Sequence, residues 1–220
     1  MKRGFYTIMA AQFFSSLADN ALLIAAIQLL AQLSGPMWMV PLLKFFFTIS
    51  YVALAGFVGA FADSMPKGRV MFITNMIKVG GCVMMFFYAQ LTPSGVDEFL
   101  TVLIAYAVVG LGAAAYSPAK YGILTELLPP SQLVAANGWI EGLTVGSIIL
   151  GTLLGGVLVS ETVSGRLLAF DLPHIETHID TPGEAAIAVI VLAYLAARCS
   201  ISSFPTPASI TTSRRRTRST

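Results

Sequence analysis

Four polar residues near the start of the chain, Gln12, Ser16, Asp19 and Asn20, interrupt an otherwise apolar stretch. Their spacings of i, i+4, i+7 and i+8 put them on one face of a helix. A carboxylate in such a helix is costly without a partner or a cavity, so it is a candidate for handling a charged or polar solute. Two roles are open to Asp19: lining a cavity, or tying helices together through a cation. Lys78 lies about two turns into a later apolar run. It can meet a carboxylate such as Asp19 or Glu141, or carry its ammonium to the surface. Glu141, in Asn137-Gly138-Trp139-Ile140-Glu141, is expected to face neighbouring helices, because a carboxylate facing lipid is expensive. Lys44 lies about one turn inside its own run and is expected to extend to the surface.

Other chemistries find little support. His174 and His178 flank Glu176, but the zinc-protease pattern H-E-x-x-H is absent, and no cysteine or third histidine lies nearby. No metal site is expected. No G-x-x-x-x-G-K-[ST] motif is present, so the chain is not expected to hydrolyse ATP. An acyltransferase pattern H-x-x-x-x-D fails because Ile179 stands where the aspartate would be. No cofactor and no catalytic residue are expected. Cys82 and Cys199 both fall in or near apolar runs and make no disulfide framework.

The elements that position these residues follow from composition. The chain of 220 residues is 56% hydrophobic and only 11% charged, where an average soluble domain carries roughly 25% charge. Lipid is the expected solvent, and nucleic acid is not an expected partner. A spanning helix needs about 20 mostly apolar residues. Six segments fit, at about 6–33, 39–61, 70–91, 98–116, 135–158 and 184–200, the last being the shortest. The first is too long and too polar at its centre for a cleaved signal core. Breakers separate the segments: Ser34-Gly35-Pro36, Pro66 with Gly68, Thr92-Pro93-Ser94-Gly95, and Pro129-Pro130. The fifth segment carries two small-xxx-small pairs, Gly142 with Gly146 and Gly151 with Gly155, which permit close helix approach.

Basic residues give an orientation. Lys2, Arg3, Lys67, Arg69, Lys120, Arg198 and Arg214–Arg218 share one side if the first terminus is cytoplasmic, and the opposite connections hold Arg166 alone. The positive-inside rule then places both termini in the cytoplasm. The expected organisation is a bundle over 1–200 and a disordered basic tail over 201–220, rich in Ser, Thr, Pro and Arg. The tail reads as a solvated end, as the product of an early stop or a shifted frame, or as a segment resting on anionic lipid.

The connection Gly59-Ala60-Phe61-Ala62-Asp63-Ser64-Met65-Pro66-Lys67-Gly68-Arg69 resembles the signature loop between helices two and three of the major facilitator superfamily. Here the aspartate-to-glycine spacing is two residues longer than the signature, and Ser64 replaces its first basic residue. Three further stretches narrow the resemblance. They are Ala18-Asp19-Asn20-Ala21-Leu22-Leu23, Lys67-Gly68-Arg69-Val70-Met71, and Ser117-Pro118-Ala119-Lys120-Tyr121-Gly122. With Ala136-Asn137-Gly138 and Glu141, these are similar to the bacterial lysophospholipid transporter family over about residues 5–160.

That resemblance implies an all-α membrane protein, here the N-terminal half of a twelve-helix fold. It also implies movement of lysophospholipids, such as lysophosphatidylethanolamine, from the outer to the inner leaflet of the bacterial inner membrane. Candidate substrate or coupling residues are Asp19, Asn20, Lys78, Lys120 and Glu141. A head group would sit among Asp19, Asn20 and Lys120, with its acyl chain in apolar surroundings. Gly59, Asp63, Lys67, Gly68 and Arg69 form the cytoplasmic loop. Alternating access needs two bundles rocking about a midplane site, so six helices imply a second half, a homodimer, or an inactive fragment. A membrane-embedded lipid enzyme is the alternative from another class.

Overall fold

The computed structural model describes residues 3–168 and 181–202. The His174–Glu176–His178 cluster and the arginines of the tail lie outside them. Every element among the described residues is helical: α1 (Arg3–Gln32), α2 (Met39–Ser64), α3 (Lys67–Phe86), α4 (Tyr88–Leu91), α5 (Glu98–Leu127), α6 (Pro130–Leu158), α7 (Glu161–Leu168) and α8 (Pro182–Ser202). Gly4–Gln32, α3, α5 and α6 are long and apolar enough to cross a membrane, and Met39–Leu54 and Pro182–Ala197 are shorter apolar stretches. The helices that contain them, α2 and α8, run to 26 and 21 residues, about 39 Å and 32 Å at 1.5 Å per residue, enough for the roughly 30 Å hydrocarbon layer.

Several helices extend past the segments expected from sequence. α5 continues through Pro118 to Leu127, whereas the fourth segment was expected to stop near residue 116. Proline removes one backbone donor, and membrane bundles accommodate that where neighbouring groups compensate. α6 begins at Pro130, earlier than the expected 135, because proline suits the first helical turn, where its missing N–H would lack a partner anyway. α8 continues two residues into the segment expected as tail.

α1 is the hub. It packs along α6 and α8, while α5 packs along α3 and α2. Its core face is mostly small: Ala18, Ala21, Ala25 and Ala26 are fully buried, alternating with Leu22 and Leu29. Small residues bring helix axes close, which matters where lipid removes the usual hydrophobic drive for association. The main core joins these residues to Cys82 and Met85 of α3, Leu103, Tyr106 and Val109 of α5, and Ile187, Ile190 and Tyr194 of α8. α3 and α5 are equally close. A Cβ on Gly112 would stand 2.7 Å from the backbone oxygen of Thr74 and from Lys78 Cγ. That contact fixes the stem of Lys78 beside α5.

Candidate functional site

Asp19 sits half-way along α1 with both carboxylate oxygens engaged. Lys78 Nζ of α3 donates to Oδ2 at 2.6 Å, and the Tyr194 hydroxyl of α8 donates to Oδ1 at 2.7 Å. Lys78 also donates to Ser15 Oγ at 2.9 Å. Ser15 in turn donates to Asn75 Oδ1 at 3.4 Å, and Asn75 Nδ2 donates to the backbone carbonyl of Tyr194 at 2.9 Å. The result is a closed ring through α1, α3 and α8. The Lys78 side chain is 2% exposed and that of Asp19 16%. An ammonium so buried is tolerable only with an anion and further acceptors in place. Lys78 also lies 5.2 Å from the centre of the Tyr116 ring, which favours the cation. Of the options the sequence left to Lys78, the structure selects the pair with Asp19.

Asp19 is also the meeting point of two cavities. The larger, about 300 Å³, is lined by Ser16, Asp19, Asn20, Leu23, Lys44, Phe47, Thr48, Tyr51, Tyr106 and Ile148. The smaller, about 120 Å³, is lined by Gln12, Ser15, Ser16, Asp19, Tyr51, Lys78, Ala113, Tyr116, Ser117, Lys120 and Thr144. Ser16, Asp19 and Tyr51 belong to both. The polar face of α1 is therefore divided between them, Asn20 to the larger and Gln12 to the smaller. Asn20 spends one amide hydrogen on its own helix, at the carbonyl of Ser16, 2.8 Å away. Lys44, expected to reach for the surface, is exposed and also lines the larger cavity, where Phe47, Tyr106, Leu23 and Ile148 supply apolar walls. A space that joins charged and polar groups, Asp19, Lys44, Ser16 and Asn20, to apolar walls suits an amphipathic solute.

A second lysine–carboxylate pair sits where α5 meets α6. Lys120 Nζ is 3.5 Å from Glu141 Oε1, and the Tyr121 hydroxyl donates to the same oxygen. Lys120 lies 4.5 Å from the centre of the Tyr121 ring. Glu141 was expected to point into the bundle. Its side chain is instead 53% exposed, because α6 turns its buried residues Ala136, Ile140 and Ser147 inward and leaves Glu141 at the margin. Lys120 is 7% exposed and reaches the smaller cavity from this margin.

The α2–α3 connection stands apart from both cavities. Lys67 bonds Asp63 across it, and its stem lies over Gly122 of α5. A Cβ added at Gly59 would meet nothing within 4 Å. Gly68 and Arg69 fall in the first turn of α3, and the Arg69 amide donates to the carbonyl of Pro66 at 2.8 Å. This loop is a brace at one end of the bundle.

Sequence reasoning missed Tyr194, Ser15 and Asn75. A tyrosine in an apolar helix is a usable signal, since its hydroxyl needs a partner once buried. Asn75 stands three residues before Lys78 on the same helix face, a spacing that also could have been read. Among the described residues, no group of three His, Cys, Asp or Glu side chains is placed to hold a metal.

Comparison with known proteins agrees with this architecture. Residues 8–173 match the Major Facilitator Superfamily. The chain is 47% identical over 158 residues to the lysophospholipid transporter LplT of Yersinia enterocolitica serotype O:8. It is 44% identical over the same length to the proteins of that name from Yersinia pestis strain Pestoides F and Yersinia pseudotuberculosis serotype O:3. The match takes in 72% of this chain but 36% of each relative, so the chain spans little more than a third of their length. Its helical spans, its buried intramembrane ion pair and the match over most of its residues make this chain a multi-pass membrane protein that belongs to the major facilitator superfamily.

Proposed function

We propose that this chain forms the first six-helix half of a secondary transporter that moves lysophospholipids, such as lysophosphatidylethanolamine, from the outer to the inner leaflet of the bacterial inner membrane. The observation that carries the reading is Asp19, a charge held at the junction of two cavities inside an apolar bundle. The relatives' name supplies the substrate class. Asp19, Asn20 and Lys120 take the head group, with Lys78 fixing Asp19 and Glu141 restraining Lys120. The acyl chain follows the apolar walls. The chain is a carrier and not an enzyme. Six helices provide one wall of a midplane site, so activity requires a second half, or a second copy in its place.

Both termini are assigned to the cytoplasm from the basic residues on that side. A cysteine at Ser94 is then expected to react with an impermeant thiol reagent added outside, and one at Ser64 is not; the reverse pattern rejects the orientation.

The transport reading is tested in a chimera in which this chain replaces the matching part of the Yersinia enterocolitica transporter. Uptake of labelled lysophosphatidylethanolamine is followed in cells lacking their own transporter. The chimera restores uptake and the 220-residue chain alone does not. Asp19→Asn combined with Lys78→Met removes both charges together and so leaves neither one stranded. The double variant is expected to fold and to lose at least about tenfold in uptake, the effect of about 1.4 kcal/mol in the transition state. Normal uptake per folded molecule would reduce the pair to a structural tie and sink its transport role.

A further inference from the structure

The smaller cavity contains two buried polar atoms that meet no protein partner: Gln12 Oε1 and the Tyr116 hydroxyl. Groups like these are rare in folded proteins and call for an explanation. The Gln12 amide cannot simply be turned round. Its Nε2 donates to Thr144 Oγ1 at 3.0 Å, while the Thr144 hydroxyl hydrogen is already committed to the carbonyl of Ile140 at 2.8 Å. Thr144 can therefore only accept from Gln12, which leaves Oε1 as the unpartnered atom of a residue that lines the cavity. An amide oxygen there asks for a donor. The surroundings ask for an anion as well. Lys78 is neutralised by Asp19, whereas Lys120 reaches the cavity with only a loose, half-exposed carboxylate behind it. The Tyr116 hydroxyl has a hydrogen to give.

A ligand that fits presents an anionic oxygen and, close to it, a hydroxyl hydrogen. A glycerophospholipid with one acyl chain has both, and one with two chains has lost the hydroxyl to an ester. Resting on the function proposed above, we infer that the smaller cavity is a glycerophosphate subsite in which Gln12 Oε1 accepts the hydrogen bond of the free glycerol hydroxyl. Tyr116 and Lys120 hold the phosphate. Gln12 is then a specificity-determining residue that reads the feature separating single-chain from double-chain lipids.

The test uses the chimera described above, in which this chain is completed by the rest of the Yersinia enterocolitica transporter and is otherwise native, in a maltoside detergent, which carries no phosphate, with binding measured by calorimetry. Two probes are compared: lysophosphatidylethanolamine, and its analogue with the glycerol hydroxyl converted to a methyl ether. The native chain is expected to prefer the hydroxyl form by about tenfold, the size of one buried hydrogen bond. Gln12→Met keeps the volume, removes the acceptor and is expected to abolish the preference by weakening the hydroxyl form alone. Thr144→Val removes the partner of Gln12 but not its oxygen, and is expected to keep the preference; this separates recognition from support of α1 against α6. If the native chain binds both probes equally, or if Gln12→Met retains the preference, the subsite is overturned while the lysolipid reading stands. If the native chain binds neither probe, the function proposed above falls and the subsite with it.

Discussion

Lys78 and Lys120 each reach a carboxylate, but in different surroundings. The Lys78–Asp19 pair is enclosed, short, and completed by Tyr194 and Ser15, so every charged atom has a partner on a neighbouring helix. The Lys120–Glu141 pair is longer and half open, at the margin of α5 and α6. Burial decides what each pair can do. In a poorly screened interior, loss of one partner strands a charge. At an exposed margin, water replaces the lost partner at little cost. The enclosed pair fixes Asp19 in place beside both cavities, while the open pair leaves Lys120 only loosely restrained.

The largest expected effect falls on the enclosed pair. Lys78→Met leaves the Asp19 carboxylate without its cation and is expected to cost about 3–5 kcal/mol. Thermal midpoints in detergent should drop steeply, and adding Asp19→Asn should recover most of the loss. A single variant as stable as the native chain would show that water already screens Asp19, and the contrast between the pairs would disappear.

An intermediate effect is expected where α6 meets α1. A Cβ at Gly151 would stand 2.4 Å from the backbone oxygen of Leu17, two residues before Asp19, whereas one at Gly146 meets nothing. Gly151→Ala forces α1 and α6 apart and is expected to cost about 1–3 kcal/mol. Gly146→Ala is expected to stabilise by up to about 1 kcal/mol, since alanine is the better helix former. Melting both variants side by side checks the sign as well as the size. Equal shifts would mean that α6 is not seated on α1 as described.

The smallest effect is expected at the open pair. Glu141→Gln keeps a partner for Tyr121 and removes a half-exposed charge, so stability should change by less than about 1 kcal/mol. Head-group binding by Lys120 should persist. A loss approaching that of Lys78→Met would place Glu141 in the same structural class as Asp19.

Much of the bundle was legible from local pattern. Apolar runs and their breakers located the helices, since a chain in lipid must satisfy its backbone within each span. The polar face of α1 was visible because Gln12, Ser16, Asp19 and Asn20 repeat at helical spacing. The site was legible only in part. Asp19 and Lys78 announced themselves as charges where charge is costly, but Tyr194 looked like another apolar residue of the last helix. Gly142–Gly146 and Gly151–Gly155 read identically, yet only the second pair meets α1. The fourth segment was expected to stop near residue 116, yet α5 runs on through Pro118 to Leu127.

Sequence by itself determined that this protein lives in a membrane, roughly where its helices run, and which residues are too polar for lipid. Each of these depends on periodicity along a single segment. Tertiary structure alone decided that Lys78 meets Asp19, that Tyr194 closes the ring, that Glu141 lies at the margin, and that Lys44 and Gln12 line different cavities. Those outcomes depend on how far each helix is rotated about its own axis and which neighbour it packs against. Short connections leave both free, and close packing through Ala21, Gly112 and Gly151 settles them.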